Sequence, residues 1–340
     1  MRRTELDICR IVACLMVLMI HASADIYHDL PIDSAAFWGM SLISTAVRGA
    51  VPVFFMLTGA LMLSRETLDT KKLLLRHALY LTGIYYFWSL LYALGSRFAA
   101  GSFGSLYDFF YSVAAGHYHL WFLPAMVLCY LFLPPVSAAI HGKRIDPKYL
   151  LGLFFGLGLL LANCNLTPDT ALILNRITLN FSLDYLPYLG YVIWGWWLST
   201  KKLPKRTLWL APVVYAAVTV ITNIGNVWYS GYKGVADGWL FSYFSLPSFL
   251  QASCIFCFFL ALREREWKHA KLAAALADCT LGVYLIHPLM INVLERLGLA
   301  VTPASPFSGL LLLFVSLALI CFALVYIGRK IPVLRKLIGN

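Results

Sequence analysis

The 340 residues are 61% hydrophobic and 13% charged, with 27 Lys and Arg against 16 Asp and Glu. That balance excludes an ordinary soluble globular domain and leaves room for about ten membrane spans of ~20 residues. The net charge of +11 does not point to nucleic acid, because the basic residues fall in separate clusters between apolar runs, the pattern of charges that orient a membrane protein.

The first apolar stretch, residues 5–25, carries Asp7, Arg10, Cys14 and His21. Arg2 and Arg3 before it and Ala22-Ser23-Ala24 at its end give it the outline of a signal peptide. Glu5, Asp7 and Arg10 interrupt that outline, so a retained span is expected. Arg10 and His21 stand eleven residues apart. That is about three helical turns, which puts both on one face roughly 16 Å apart. Ionisable side chains within a span are costly and mark a functional site by default. An imidazole there can serve as a general base, with Asp7 one turn below Arg10 and able to pair with it. The plainer alternative is a histidine hydrogen-bonded to a neighbouring helix.

The second span, 37–63, holds Arg48 four residues before Pro52. A proline kink would let the guanidinium face a cavity. An ion pair with Asp7 or Asp278 is the structural alternative. The third, 73–95, begins at Lys72 and Arg76, cations that suit phosphates or, equally, anionic lipid headgroups. The fourth, 118–140, opens on GHYHLWFLP, where His119 and Trp121 could face a substrate. His117 and His119 form an H-x-H pair without a third ligand, so no metal is expected.

The fifth and sixth spans, 148–164 and 184–200, are short, and the seventh and eighth are 207–226 and 242–262. Cys254 and Cys257 form a CxxC inside the eighth, where cysteine acts as a small hydrophobe. The amphipathic KHAKLAAALAD reads as a helix on the cytoplasmic surface, with Asp278 capping the ninth span, 279–297. His287 precedes Pro288 in TLGVYLIHPLM; it is expected to pack into the bundle, with a catalytic or helix-linking role as the other option. The tenth span is 307–328. The fold expected is all-α: one polytopic helix bundle over residues 1–340.

Of the 27 basic residues, 21 lie in the loops of one side, and by the positive-inside rule both termini are cytoplasmic. The opposite loops hold only Arg97, Arg176, Lys233 and Arg296, and are polar and aromatic. Such surfaces suit sugar rings, although Tyr and Trp also favour the membrane interface for its own sake. No Walker loop, GxSxG, HExxH or dinucleotide fingerprint occurs, which argues against ATP hydrolysis and serine-hydrolase chemistry.

ELDICRIVACLMVLMIHA resembles the opening of the acyltransferase 3 membrane proteins, in which an arginine and a histidine with ten residues between them mark the first span. VPVFFMLTGALML, YHLWFLPAMVLCYLFLPP and TLGVYLIHPLMI are similar to that family's second-, fourth- and late-span signatures, in the same order. The resemblance implies ten spans and transfer of an acyl group, usually acetyl, from cytoplasmic acetyl-CoA to a hydroxyl of an extracytoplasmic glycan. By position, His21 matches the catalytic histidine and Arg10 its paired arginine. The family's RxxR motif for the acyl donor stands here as K-x3-R at Lys72 and Arg76, with Arg48 a further expected donor contact. His119, Trp121 and His287 are the expected acceptor contacts.

Acetyl-CoA is the expected co-substrate, without a metal. A glycan or lipid-linked sugar and membrane lipids are the expected partners, in a bacterial inner membrane. No esterase-like soluble domain is expected within these 340 residues. His21 would take the acceptor's proton directly or after forming an acetyl-imidazole, with the thin pantetheine arm reaching it from the cytoplasmic side. The family also includes membrane domains tied to serine supply for a racemase. A transporter of a small amino acid, using the same polar stripe, is therefore the rival reading.

The topology makes a direct prediction. With single cysteines in a background lacking the native ones, Lys143→Cys and Lys233→Cys should be labelled by an impermeant maleimide from opposite faces of the membrane. Labelling of both from one side would refute the ten-span arrangement.

Overall fold

A computed structural model describes residues 2–102, 104–142, 145–164 and 185–339 of the chain. Among the described residues it is helical, without strands. In chain order the longer helices are α1 (Thr4–Ala22), α2 (Ala35–Ala46), α3 (Ala50–Met62), α4 (Leu79–Ala100), α5 (Leu106–Ala115) and α6 (Phe122–His141). They continue as α7 (Pro147–Cys164), α8 (Tyr188–Ser199), α9 (Thr207–Lys233), α10 (Leu246–Ala261), α11 (Ala270–Arg296) and α12 (Pro306–Gly328). Lys143, Arg144 and the stretch 165–184 with Arg176, all used in the topology argument, lie outside the described residues.

Among the described residues, six segments are long and apolar enough to cross a membrane: Ala35–Met62, Phe122–His141, Thr207–Lys233, Trp239–Ala261, Ala270–Arg296 and Pro306–Gly328. This is a polytopic membrane protein. Helix α1 has the length for a span, but Glu5, Asp7 and Arg10 crowd its first two turns. Local chemistry sets several ends. Ser34, Ser105 and Ser245 accept from the backbone N–H three residues on, each covering a donor that the first helical turn leaves open. Gly101 and Gly234 adopt φ of 65° and 71° at the ends of α4 and α9, a left-handed conformation that costs glycine nothing.

Three expectations need correction. Asp278 does not cap a helix, because α11 runs unbroken from Ala270 through it. The alanine-rich AKLAAALAD has high helix propensity and simply extends the span. Asp278 instead takes partners from other segments. The outward stretch before His117 is not all loop; it contains α5, nucleated by the Ser105 cap. Helix α9 also runs to Lys233, past the expected end at residue 226.

The chain forms two compact units, residues Met1–Leu57 with Leu198–Asn340, and Thr58–Trp197. In the first, α1 and α11 run in the same direction. Cys14 Sγ meets Thr280 O at 3.8 Å, and the His21 and His287 rings lie 4.8 Å apart, so a step of seven residues on one helix matches seven on the other. Parallel neighbours in a membrane need an odd number of crossings between them, a parity that the seven intervening expected spans satisfy.

An ion cluster holds the foot of this pair. Arg2 donates from Nε to Asp7 Oδ2 at 2.6 Å and from Nη2 to Asp278 Oδ1 at 2.6 Å and Ala274 O at 2.9 Å. Arg329 donates to the Asp278 carbonyl oxygen at 2.7 Å. Hydrogen bonds to Asp278 and then Asp7 raise the Arg2 pKa above its ordinary value, so the guanidinium stays charged.

In the second unit, α3 lies against α8 at Gly59. A Cβ built there would overlap Val192 O, a backbone atom that cannot swing aside. Gly59→Ala should therefore push the two helices apart. Overpacking of this kind costs about 1–3 kcal/mol or more. A clear fall in the thermal midpoint of the detergent-purified variant is expected, and an unchanged midpoint would show that α3 and α8 do not approach so closely.

Candidate active site

His21 sits in the last turn of α1, half-buried. His287 projects from α11 against it, fully buried, with the two rings tilted by 40°. The sequence explains how His287 is held. Pro288 lacks the N–H that would bond Tyr284 O, four residues back. His287 Nδ1 fills the gap, 2.7 Å from that oxygen. A carbonyl only accepts, so Nδ1 carries the hydrogen and, in the neutral ring, Nε2 carries the lone pair. The proline thus fixes the tautomer of its neighbour.

Arg10 lies on α1 about three turns below His21, half-buried. Its expected carboxylate is engaged elsewhere: Asp7 takes two bonds from Arg2, which folds back over the first turn of the helix. Among the described residues Arg10 makes no ion pair, and its guanidinium is available along the stripe that leads to His21.

Arg48 occupies a break rather than a kink. Helix α2 ends at Ala46, α3 starts at Ala50, and the turn between them holds Val47, Arg48 and Gly49. Pro52 falls in the first turn of α3, where its missing N–H costs little. Gly49 lets the turn sit against α10, since a Cβ there would come within 2.9 Å of Ala252 N. The carbonyls that the break frees are satisfied from other helices. Gln251 Nε2 donates to Thr45 O at 3.0 Å, and Tyr215 donates its hydroxyl to Ala46 O. Non-helical backbone at membrane depth persists only with such partners.

The Arg48 guanidinium lies 4.0 Å from the Phe241 ring centre, a cation–π contact. Its Nε is buried without a hydrogen-bond partner among the described residues. The alternative ion pairs with Asp7 or Asp278 do not form, because Arg2 takes both carboxylates. Phe241 also packs on Tyr27 at 5.6 Å, just beyond the C-terminus of α1, and Ser44 Oγ lies 3.4 Å from Ser23 Oγ. Arg48 therefore stands at the His21 end of α1, not at the Arg10 end. That position suits a contact near the reacting groups better than one with donor phosphates.

The second unit holds the other expected residues. Lys72 and Arg76 are exposed, at the head of the helix leading into α4. Asp69 caps this start, accepting from Lys72 N at 2.9 Å. Residues Leu73–Ala78 form a π-helical turn, a feature frequent at functional sites. His119 is buried, and its Nδ1 lies 2.9 Å from His117 Nδ1. Burial lowers the His117 pKa, which favours the neutral ring that such a bond needs on one side. His117 stacks on Tyr92 at 4.3 Å, and Trp121 packs on Tyr185 at 6.2 Å and Tyr188 at 5.6 Å. The result is an aromatic cluster with polar edges.

The sequence pattern of the acyltransferase 3 family, described as an acyltransferase domain, matches residues 3–326. An amino-acid racemase of Enterococcus faecalis is 25% identical over 323 residues, a match covering 87% of this chain and 42% of the racemase. The chain thus spans less than half the length of that relative. No solved structure matches the chain.

The break makes a prediction of its own. Gln251 also donates to Thr219 Oγ1 at 2.9 Å, so it ties the end of α2 to α9 and α10. Gln251→Leu keeps the volume and removes both bonds, leaving the Thr45 carbonyl the longer bond from Arg48 N at 3.4 Å. Each lost hydrogen bond costs about 0.5–1.5 kcal/mol. The variant should lose thermal stability on that scale, and an unshifted midpoint would show that the break needs no such support.

Proposed function

The chain belongs to the acyltransferase 3 family and is a membrane acyltransferase, and on that premise we propose that it moves acetyl from cytoplasmic acetyl-CoA to a hydroxyl of an extracytoplasmic glycan. The observation that carries this reading is the apposition of His21 and His287 at one end of α1, with Arg10 on the same helix below. An envelope polysaccharide of the enterobacterial common antigen type is the proposed acceptor, in free or lipid-linked form. The bacterial inner membrane is the proposed location.

Donor and acceptor start on opposite sides of the membrane, and the extended pantetheine arm spans the distance. In the proposed reaction Lys72 and Arg76 hold the donor phosphates as paired cations. The arm passes Arg10 and brings the thioester to His21. His21 takes the proton of the acceptor hydroxyl as its oxygen attacks the thioester carbonyl. The C–S bond breaks and the sulfur leaves as CoA, collecting the proton. Arg48, whose Nε has no hydrogen-bond partner among the described residues, is the proposed stabiliser of the oxyanion that forms on the carbonyl oxygen. His287 holds the His21 ring in position. His119, Trp121 and the neighbouring tyrosines are the proposed sugar contacts. If acetyl rests on His21 first, the same groups serve both halves of the reaction.

Purified protein in lipid nanodiscs, given radiolabelled acetyl-CoA and an envelope glycan extract, tests the reading. His21→Ala should reduce transfer by about 10²–10⁴-fold while leaving acetyl-CoA binding largely intact. Arg10→Ala should weaken both. Lys72→Ala combined with Arg76→Ala should weaken donor binding more than about tenfold, since charge-assisted bonds contribute ~1.5–3 kcal/mol each. Near-native transfer by well-folded His21→Ala would overturn the mechanism.

A further inference from the structure

A groove of about 440 Å³ opens between the first turns of α1 and the start of α11, away from the histidine pair. Its wall is apolar, formed by Ile8 and Ile11 of α1 with Leu272 and Leu276 of α11. Two cations, Arg265 and Lys268 of the segment before α11, also line it. Trp267 lies between them, with the Arg265 guanidinium 4.9 Å from its ring. The Trp267 indole Nε1 is buried and has no hydrogen-bond partner among the described residues. Among the described residues neither Arg265 nor Lys268 forms an ion pair; the nearby Glu264 faces Lys202 at 3.8 Å. The remaining carboxylate at the groove is Glu266.

We propose that this groove holds one anionic phospholipid with a hydroxyl-bearing headgroup. The chemistry divides as the walls do. A water-soluble phosphate would neutralise Arg265 and Lys268 but leave the isoleucine and leucine wall wet. A neutral acyl chain would cover the wall but leave two cations and an indole N–H without an acceptor. One phosphodiester with an acyl chain satisfies both. The phosphate accepts from Arg265, Lys268 and Trp267 Nε1, the chain lies along Ile8, Ile11, Leu272 and Leu276, and Glu266 accepts from the headgroup hydroxyls. Tryptophan at the level of lipid headgroups is a common anchor, and the segment belongs to a cationic cluster on the side expected to face anionic lipid. Bound there, the lipid wedges the foot of α1 against α11, the pair that carries His21 and His287 at its other end. The inference does not depend on the acyl-transfer reading.

Native mass spectrometry of the delipidated full-length protein in detergent tests it, with phosphatidylglycerol and phosphatidylcholine of identical chains as probes. One phosphatidylglycerol should be retained per protein at concentrations where phosphatidylcholine leaves none. Arg265→Ala with Lys268→Ala should raise the half-saturating concentration about tenfold or more. Trp267→Phe keeps the ring and removes the N–H; it should raise that concentration several-fold, and it carries the test if the double variant misfolds. Lys205→Ala with Arg206→Ala, another cationic pair outside the groove, should change nothing. Equal retention of the two lipids, or indifference to the groove variants, would overturn the proposal. Displacement of the lipid by soluble acetyl-CoA would also overturn it, by assigning the cations to a nucleotide phosphate.

Discussion

Arg2 sets the register of the site. It lies ahead of α1, yet its guanidinium joins Asp7 of that helix to Asp278 of α11, 276 residues away along the chain. With the foot of the pair fixed, the parallel helices stay in step through Cys14 and Thr280 up to His21 and His287. The Arg2 side chain is 47% exposed and that of Asp278 38%, so solvent screens much of their attraction. The clamp's contribution is geometric more than energetic. A slip of one residue would rotate His21 by about 100° around its helix, away from its partner.

The two ends of α1 meet opposite demands. At the foot, Arg2 and Arg329 neutralise Asp7 and Asp278. At the head, two polar groups are positioned by an absence. Pro288 withholds an N–H, and the Tyr284 carbonyl then orients His287. The break after α2 withholds helical hydrogen bonds, and Gln251 and Tyr215 supply replacements that hold Arg48 in place. A buried seam of Thr219, Thr222, Asn223, Asn226 and Ser230 lines α9 beside the break. Polar side chains between membrane helices act as such fastenings. The proposed reaction needs a base and a cation preorganised where water is scarce, and on that reading both are held by side chains that replace missing backbone bonds.

Much of this was legible in the sequence. Each of the ten apolar stretches contains a helix among the described residues, because length and hydropathy alone dictate that a span be helical. Arg10 and His21 were visible as a pair, since both lie on one helix and the period of that helix is known. The His21–His287 contact was not, because spacing along the chain says nothing about which of several apolar faces will meet. In the sequence Arg2 reads as part of a signal-peptide outline and of the topology signal; its folding back depends on Asp278, which the local pattern places at a helix start. Proline and glycine around Arg48 signalled a disturbance, but the partners that turn a kink into a break lie some 170–200 residues downstream. Short-range rules captured elements and faces. They could not capture side chains whose roles are defined by a distant carbonyl.

That separation along the chain bears on how the protein is made. The Thr45 and Ala46 carbonyls wait for Tyr215 and Gln251, which leave the ribosome 169 and 206 residues later. Helix α1 waits still longer for α11. Until then the second span has a bent backbone and an arginine without their native partners in lipid. The early helices can enter the bilayer as they are synthesised, but they cannot settle. Assembly of the reactive end is therefore a late event, completed from the C-terminal third. A nascent chain stalled before α10 would carry the arginine and the first histidine of the site in an unsupported form, a natural substrate for membrane quality control.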